Sequence, residues 1–191
     1  MSEDETEWPP LAEIPGMAFA SLAAAVDKPE NPFRTPVICT ADAGRPSGRT
    51  VVLRGVDASS RRLWALSDVR AQKVADLRAN PRAAWCFYDP QRRFQVRMEG
   101  TTQVHVGAGI AEAMWDKLAA TQRQGYGLTV EPGAVLVEPW EIRWVERPFD
   151  YFAVVATTVE YLDWLELGTT VHRRAVANWN GLKWLSNWVA P

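Results

Sequence analysis

Arg70, Gln72 and Lys73 are the residues whose types and order first suggest chemistry. Ser67 and Asp68 stand just before them and Asn80-Pro81 follows, so the stretch from about Val69 to Ala79 predicts a helix capped by Ser67 or Asp68. A helix N-terminus carries the positive end of the dipole and favours Asp or Glu in its first turn. Cations there are repelled by roughly 0.3–1 kcal/mol unless an anion sits among them. A phosphate would reverse the sign, because free backbone N–H groups, the Lys73 ammonium and the Ser67 hydroxyl could all converge on it. A solvated surface face would carry the same pattern, and the pattern alone does not separate the two.

The elements that must position these groups can be read around them. Turn residues at Asp42-Ala43-Gly44 and Pro46-Ser47-Gly48 lead into a strand over about 49–57, which holds Arg49-Thr50-Val51-Val52-Leu53-Arg54. Arg49 and Arg54 are five residues apart, which puts them on opposite faces of an unbroken strand. If both serve one site, Gly55 marks a bulge; otherwise they meet different ligands. Residues 63–66 make the next short strand, and the apolar run 83–88 reads as a central one. Residues 92–106 alternate, with Phe94, Val96, Met98, Val104 and Val106 on one face and Gln95, Arg97, Glu99 and Gln103 on the other.

Further strands are expected near 141–147, 151–157, 159–167, 169–179 and 182–189, with helices near 17–26 and 109–121. His172 and Arg174 are two apart, so one strand face presents both. Many strands on short turns with few helices predict an antiparallel β-barrel with helices packed outside it. The whole chain, 1–191, reads as one domain, with a loose tail over 1–10 and a helical insertion over 107–124.

Composition excludes several classes. A net charge of -2 and a near-even acid–base balance give no nucleic-acid footprint. Cys39 and Cys86 lie in apolar runs and read as buried free thiols in a reducing compartment. His105 and His172 have no Cys or His partner at metal-ligand spacing, so no metal is expected. The acidic start, Met1 to Glu5, does not read as a signal peptide, and no apolar run reaches the length of a membrane span, so a cytoplasmic location is expected. Six of the ten tryptophans fall in the last third of the chain, which suits a core, an interface or a flat ligand alike.

The ordered set Arg49-Thr50-Val51-Val52-Leu53-Arg54, Leu66-Ser67-Asp68, Gln72-Lys73, Asn80-Pro81 and Gln95-Val96-Arg97-Met98-Glu99-Gly100 resembles the pyridoxamine 5'-phosphate oxidase family. The C-terminal part adds His172-Arg173-Arg174, similar to the family's His-x-Arg, with Trp164 eight residues before it and a closing Trp188-Val189-Ala190-Pro191. The resemblance covers about residues 35–106 and 150–191. It implies an FMN-binding split β-barrel, usually a homodimer with flavin at the subunit interface. It also implies that Arg49 and Lys73 hold the FMN phosphate with Ser67 and Gln72 beside them. The Val51, Val52 and Leu53 backbone would lie along the flavin edge, and Gln95, Trp164 and Arg174 would complete the cofactor site. Arg54 and His172 are the residues implied for substrate.

Three departures bear on activity. Gln72 stands where the family usually has an arginine, so one phosphate charge is lost. The Tyr, Arg and Ser set that grips pyridoxamine phosphate has no match in Trp115 to Arg123, and the family's Gln-Ser pair is missing from the loop over 125–133. The expectation is therefore an FMN-dependent oxidoreductase of open substrate. The alternatives are a flavin, deazaflavin or haem binder without turnover, a flavin reductase using reduced nicotinamide, or a structural barrel whose tryptophans form a partner surface.

Overall fold

In the computed structural model, which describes residues 9–168 and 171–191, nine strands form one antiparallel sheet that curls on itself. Strands β1 (Val37–Asp42), β2 (Arg45–Thr50), β3 (Gly55–Asp57), β4 (Arg62–Asp68), β5 (Arg82–Asp89), β6 (Phe94–Val106), β7 (Phe152–Leu167), β8 (His172–Trp179) and β9 (Trp184–Val189) follow in chain order. Their spatial order is β2-β1-β5-β6-β7-β4-β3, with β8 against β7 and β9 against β8. Helices α1 (Ile14–Ala23), α2 (Gln72–Ala79), α3 (Ile110–Asp116) and α4 (Ala120–Gln124) lie outside the sheet.

The split comes from β7. Its sequence is rich in β-branched residues and runs for 16 residues without a breaker. One edge pairs with β6 along nearly its whole length. The other pairs with β4 over Phe152 to Thr158 and with β8 over Tyr161 to Leu167. The two strands expected at 151–157 and 159–167 are therefore one. Where the partner changes, a bulge interrupts β6 between Glu99 and Gly100. A Cβ on Gly100 would lie 1.9 Å from the Thr158 carbonyl oxygen, so only glycine allows the strands to close there. Burial along β6 alternates cleanly from Phe94 through Thr102, past the bulge, and is lost only at the end of the strand, where Val104 is half-buried and Val106 exposed.

The core is filled by inward side chains such as Ile38, Leu53, Trp85, Phe87 and Leu162, with Ile14, Phe19 and Leu22 of α1 packed against them. Some of its buried polar groups pair with one another: Trp85 Nε1 donates to Thr157 Oγ1 at 2.9 Å, and Thr157 shares a 2.8 Å bond with Thr102. A second cluster lies outside the barrel, where α3 covers Phe152 and Val154. Together the two clusters bury both faces of the first part of β7.

Several boundaries differ from expectation. The strand expected over 49–57 is broken: β2 stops at Thr50, β3 starts at Gly55, and 51–54 lie outside any strand. No strand forms over 141–147, where a lone bridge joins Leu128 and Trp144. Helix α2 begins at Gln72 rather than Val69, with Ala71 as its N-cap and no side-chain cap. The helix expected at 109–121 is two short ones, and the one expected at 17–26 runs from Ile14 to Ala23. Most of the expected 1–10 tail, and the start of the strand expected at 169–179, lie outside the described residues. Cys39 and Cys86 are free, as read, but half-buried rather than buried.

Candidate functional site

Asp68 does not cap α2. It accepts from the Arg70 N–H at 2.8 Å and takes the Arg70 guanidinium through both carboxylate oxygens, at 3.0 and 2.7 Å. Arg70 also donates to the Leu128 carbonyl at 2.8 Å and lies 3.7 Å above the Tyr151 ring. This cation is used up in holding the end of β4 to the following loops. Lys73 is different. Its ammonium is half-buried and donates to Ser67 Oγ at 3.1 Å. Burial, and then the charge of Arg49, push the Lys73 pKa below the usual lysine value, with Asp68 only partly opposing them.

Arg49 comes from the end of β2, in register with Ile38 of β1. It donates to Thr40 Oγ1 at 2.7 Å and to Ser47 Oγ at 2.6 Å, and lies 3.7 Å from the Asp76 carboxylate. Asp76 is buried on α2 and accepts from Thr40 at 2.6 Å and from the Gln72 amide at 2.8 Å. Burial works to raise the Asp76 carboxyl, but the Thr40 and Gln72 hydrogen bonds and the Arg49 charge outweigh it and hold it below its ordinary value. Thus Gln72 braces Asp76, and Asp76 with Thr40 and Ser47 fixes the Arg49 guanidinium. None of Thr40, Ser47 and Asp76 was singled out from sequence. The available signal was a charge between Val74 and Leu77 on the buried side of α2, and a hydroxyl two residues from Ile38 on the inward face of β1.

The break at 51–54 has a use. Val51 N–H bonds Pro36 O at 2.9 Å, Leu53 N–H bonds Arg34 O at 2.8 Å and Arg54 N–H bonds Trp64 O at 2.8 Å. Val52 N–H donates to no described residue. Leu53 is fully buried in the core and anchors the segment, while Val51 and Val52 remain half-exposed. These two residues line a pocket of about 260 Å³ with Thr50, Arg54, Leu66, Lys73 and Tyr126. A paired cationic cradle, an open backbone donor and apolar walls fit an elongated ligand with an anionic end and a flat polar-edged body.

The remaining sequence-selected residues lie elsewhere in this subunit. Gln95, Arg97, Asp163, Leu165 and Arg174 share the outer face of β6, β7 and β8 through their register. Arg174 donates to both Asp163 oxygens, at 3.0 and 2.8 Å, and Arg97 reaches Asp163 at 3.4 Å and Glu99 at 2.8 Å. His172 starts β8 on that same face and is exposed. Trp164 faces the other way, is buried, and packs edge-on against Phe94 and Trp188 at centroid distances of 5.5 and 6.2 Å. Arg49, Ser67, Lys73 and the Val51–Arg54 backbone are therefore gathered at one place, and Gln95, His172 and Arg174 at another.

Comparison with known proteins follows this geometry. Residues 18–106 match the family model described as pyridoxamine 5'-phosphate oxidase, FMN-binding domain. A pyridoxine/pyridoxamine 5'-phosphate oxidase of Gluconobacter oxydans is 31% identical over 61% of this chain and 59% of its own length. One of Anaeromyxobacter dehalogenans is 40% identical over 42% and 40%. One of Rhodospirillum rubrum is 27% identical over 88% and 90%. The first two matches thus span under two thirds of those relatives.

Among solved structures, a pyridoxamine 5'-phosphate oxidase-related FMN-binding protein of Nostoc punctiforme superposes with a TM-score of 0.75. It is 24% identical, over 92% of this chain and 96% of its own. PhzG of Burkholderia lata, solved with tetrahydrophenazine-1-carboxylic acid, superposes with a TM-score of 0.73 at 16% identity, over 100% and 98%. The fold is the split barrel of these proteins, and over residues 18–106 the chain is similar to the FMN-binding domain of the pyridoxamine 5'-phosphate oxidase family.

Proposed function

We propose that this protein binds FMN in the pocket beside Lys73 and works as a flavin-dependent oxidoreductase. One observation carries the reading: Lys73, half-buried and repelled by Arg49, faces a pocket whose wall includes the Val52 N–H, which donates to no described residue. A phosphate supplies the charge that the cradle lacks, and the fixed Arg49 guanidinium meets it without reorganisation. Bound flavin would supply hydride and electron transfer. The chain's own part is to hold the phosphate with Arg49, Lys73 and Ser67, and to offer the Val52 N–H to the edge of the ring. The apolar side chains of Val51, Val52 and Leu66 exclude water.

The reading includes a homodimer. Val37, Tyr88, Leu185 and Val189 are exposed apolar residues on the outer sheet face that also carries Gln95, His172 and Arg174. A second copy covering that face would deliver these three side chains to the partner's pocket. Sedimentation of FMN-loaded protein as a monomer would defeat this part of the reading. In the described residues no helix is long and apolar enough to cross a membrane.

Pyridoxamine phosphate is disfavoured as substrate by how the helical insertion is used. Trp115 packs against Phe149, Phe152 and Tyr126, and Arg123 lies over Trp115 while donating to the Asp116 carbonyl. These side chains hold the insertion together instead of gripping a ligand. The test is direct. Protein as isolated should be yellow, and the Arg49→Ala, Lys73→Ala double variant colourless. Colourless wild-type protein that ignores added FMN overturns the reading. Anaerobic addition of pyridoxamine phosphate, or of a reduced nicotinamide, then shows which bleaches the flavin.

A further inference from the structure

We infer that Tyr126 and Arg54 form the substrate-recognition wall of the same pocket, selecting a flat aromatic carboxylate over a phosphate monoester. The inference rests on the reading of that pocket as a flavin and substrate site. Tyr126 follows α4, just past the Trp115–Arg123 stretch in which no residue matched the family's substrate grip. Its ring is held edge-on against Phe152 at 5.0 Å and Trp115 at 6.3 Å. The phenol, by contrast, makes no hydrogen bond with a described residue although it is half-buried at the pocket wall. Burial raises the Tyr126 pKa, and the nearby Arg54 charge works against that rise, so the phenol is a protonated donor within electrostatic reach of the guanidinium.

Arg54 is also half-buried, and its guanidinium has no ion pair or hydrogen bond with a described residue. Arg49, Arg70, Arg97 and Arg174 are each tied to a carboxylate. Two unengaged donors on one wall call for an acceptor from outside the protein. The charge count decides which one. A single guanidinium matches one carboxylate through two parallel bonds. A phosphate dianion would bring a second charge that only a neutral phenol could meet, because Lys73 is already committed to the cofactor phosphate. The aliphatic lining of Val51, Val52 and Leu66 suits the faces of an aromatic ring system.

FMN-loaded protein would be titrated with naphthoate and, separately, with pyridoxine 5'-phosphate. The flavin absorption spectrum and tryptophan fluorescence both serve as readouts. Naphthoate should bind at least roughly tenfold more tightly than pyridoxine 5'-phosphate. Tyr126→Phe keeps the ring contacts and should weaken naphthoate roughly tenfold, with FMN affinity unchanged. Arg54→Gln should weaken it more. Tighter binding of pyridoxine 5'-phosphate, or a Tyr126→Phe variant with unchanged naphthoate affinity, overturns the inference. If FMN does not bind but naphthoate still quenches tryptophan in a Tyr126-dependent way, the subsite stands and the cofactor reading fails.

Discussion

Two groups of cations lie on this sheet, and they differ in what neutralises them. On the outer face, Arg97 and Arg174 converge on Asp163, and Glu99 takes the remaining side of Arg97. The two arginines meet two carboxylates, and the cluster is complete within the subunit. At the cradle, one carboxylate, that of Asp76, is in reach of Arg49, and it is already bonded by Thr40 and Gln72. Lys73 is left with a hydroxyl. Folding therefore satisfies the first cluster and leaves the second short of one anion. Sequence residue types are nearly the same in both; the difference lies in which strand register or helix turn brings a carboxylate across.

The largest effect should come from removing the unsatisfied cations. Charge-assisted hydrogen bonds contribute about 1.5–3 kcal/mol each. Arg49→Ala with Lys73→Ala should therefore weaken FMN binding by roughly a hundredfold or more, measured by flavin fluorescence quenching. Lys73→Met alone should weaken FMN binding while leaving apo-protein stability equal or higher, because it removes a desolvated ammonium repelled by Arg49. A fall in apo Tm would instead mean that the fold itself neutralises Lys73. The pH dependence carries the same sign. The charged form of Lys73 binds the phosphate, so FMN affinity should decline as pH rises through its lowered pKa, below the 10.5 of an ordinary lysine. Lys73→Arg should move that decline to higher pH.

Asp163 is the matching test on the outer face. Asp163 is buried, whereas Arg97 and Arg174 are about a third or more exposed, so water would repair part of the loss. Asp163→Ala should cost about 2 kcal/mol and lower Tm by roughly 4–8 °C, read by calorimetry on apo protein. The contrast is broken if Asp163→Ala leaves Tm unchanged, because the outer cluster would then be as poorly satisfied as the cradle.

This contrast also marks how far the sequence could be read. Type and order were enough for the antiparallel barrel and for pairing Ser67 with Lys73 at the helix start, since strand period and helix start depend on neighbours in the chain; Arg49 joined them only through the family resemblance. The sequence predicts α2 three residues too long because Asp68 has the type and place of a cap, whereas it captures Arg70 and leaves Ala71 at that position. Parity put Arg49 and Arg54 on opposite faces of a strand that is in fact broken between them. Trp164 was grouped with Gln95 and Arg174, yet the β7 register turns it inward, in line with Val96. Asp76 and Tyr126 were invisible for a different reason: Asp76 acquires its meaning from Thr40, 36 residues away, and Tyr126 from the pocket wall it shares with Arg54.

The smallest expected effect belongs to Gln72, and it separates two roles for one side chain. As a phosphate ligand, its loss would weaken FMN binding. As the brace described here, its loss acts on Asp76. The Asp76 carboxyl is held below its ordinary value of 3.8, so its contribution to stability is fully present above that value and lost as pH falls through the lower folded one. Gln72→Leu removes one of the hydrogen bonds that lower it and moves the folded value back up. Stability near neutrality should drop by about 1 kcal/mol, and acid unfolding should begin at a higher pH. FMN affinity at pH 7 should change less than about threefold, because Arg49 keeps Thr40, Ser47 and the ionised Asp76. A tenfold loss of FMN affinity with an unchanged acid transition would assign Gln72 to the phosphate instead, and would make the cradle three-sided.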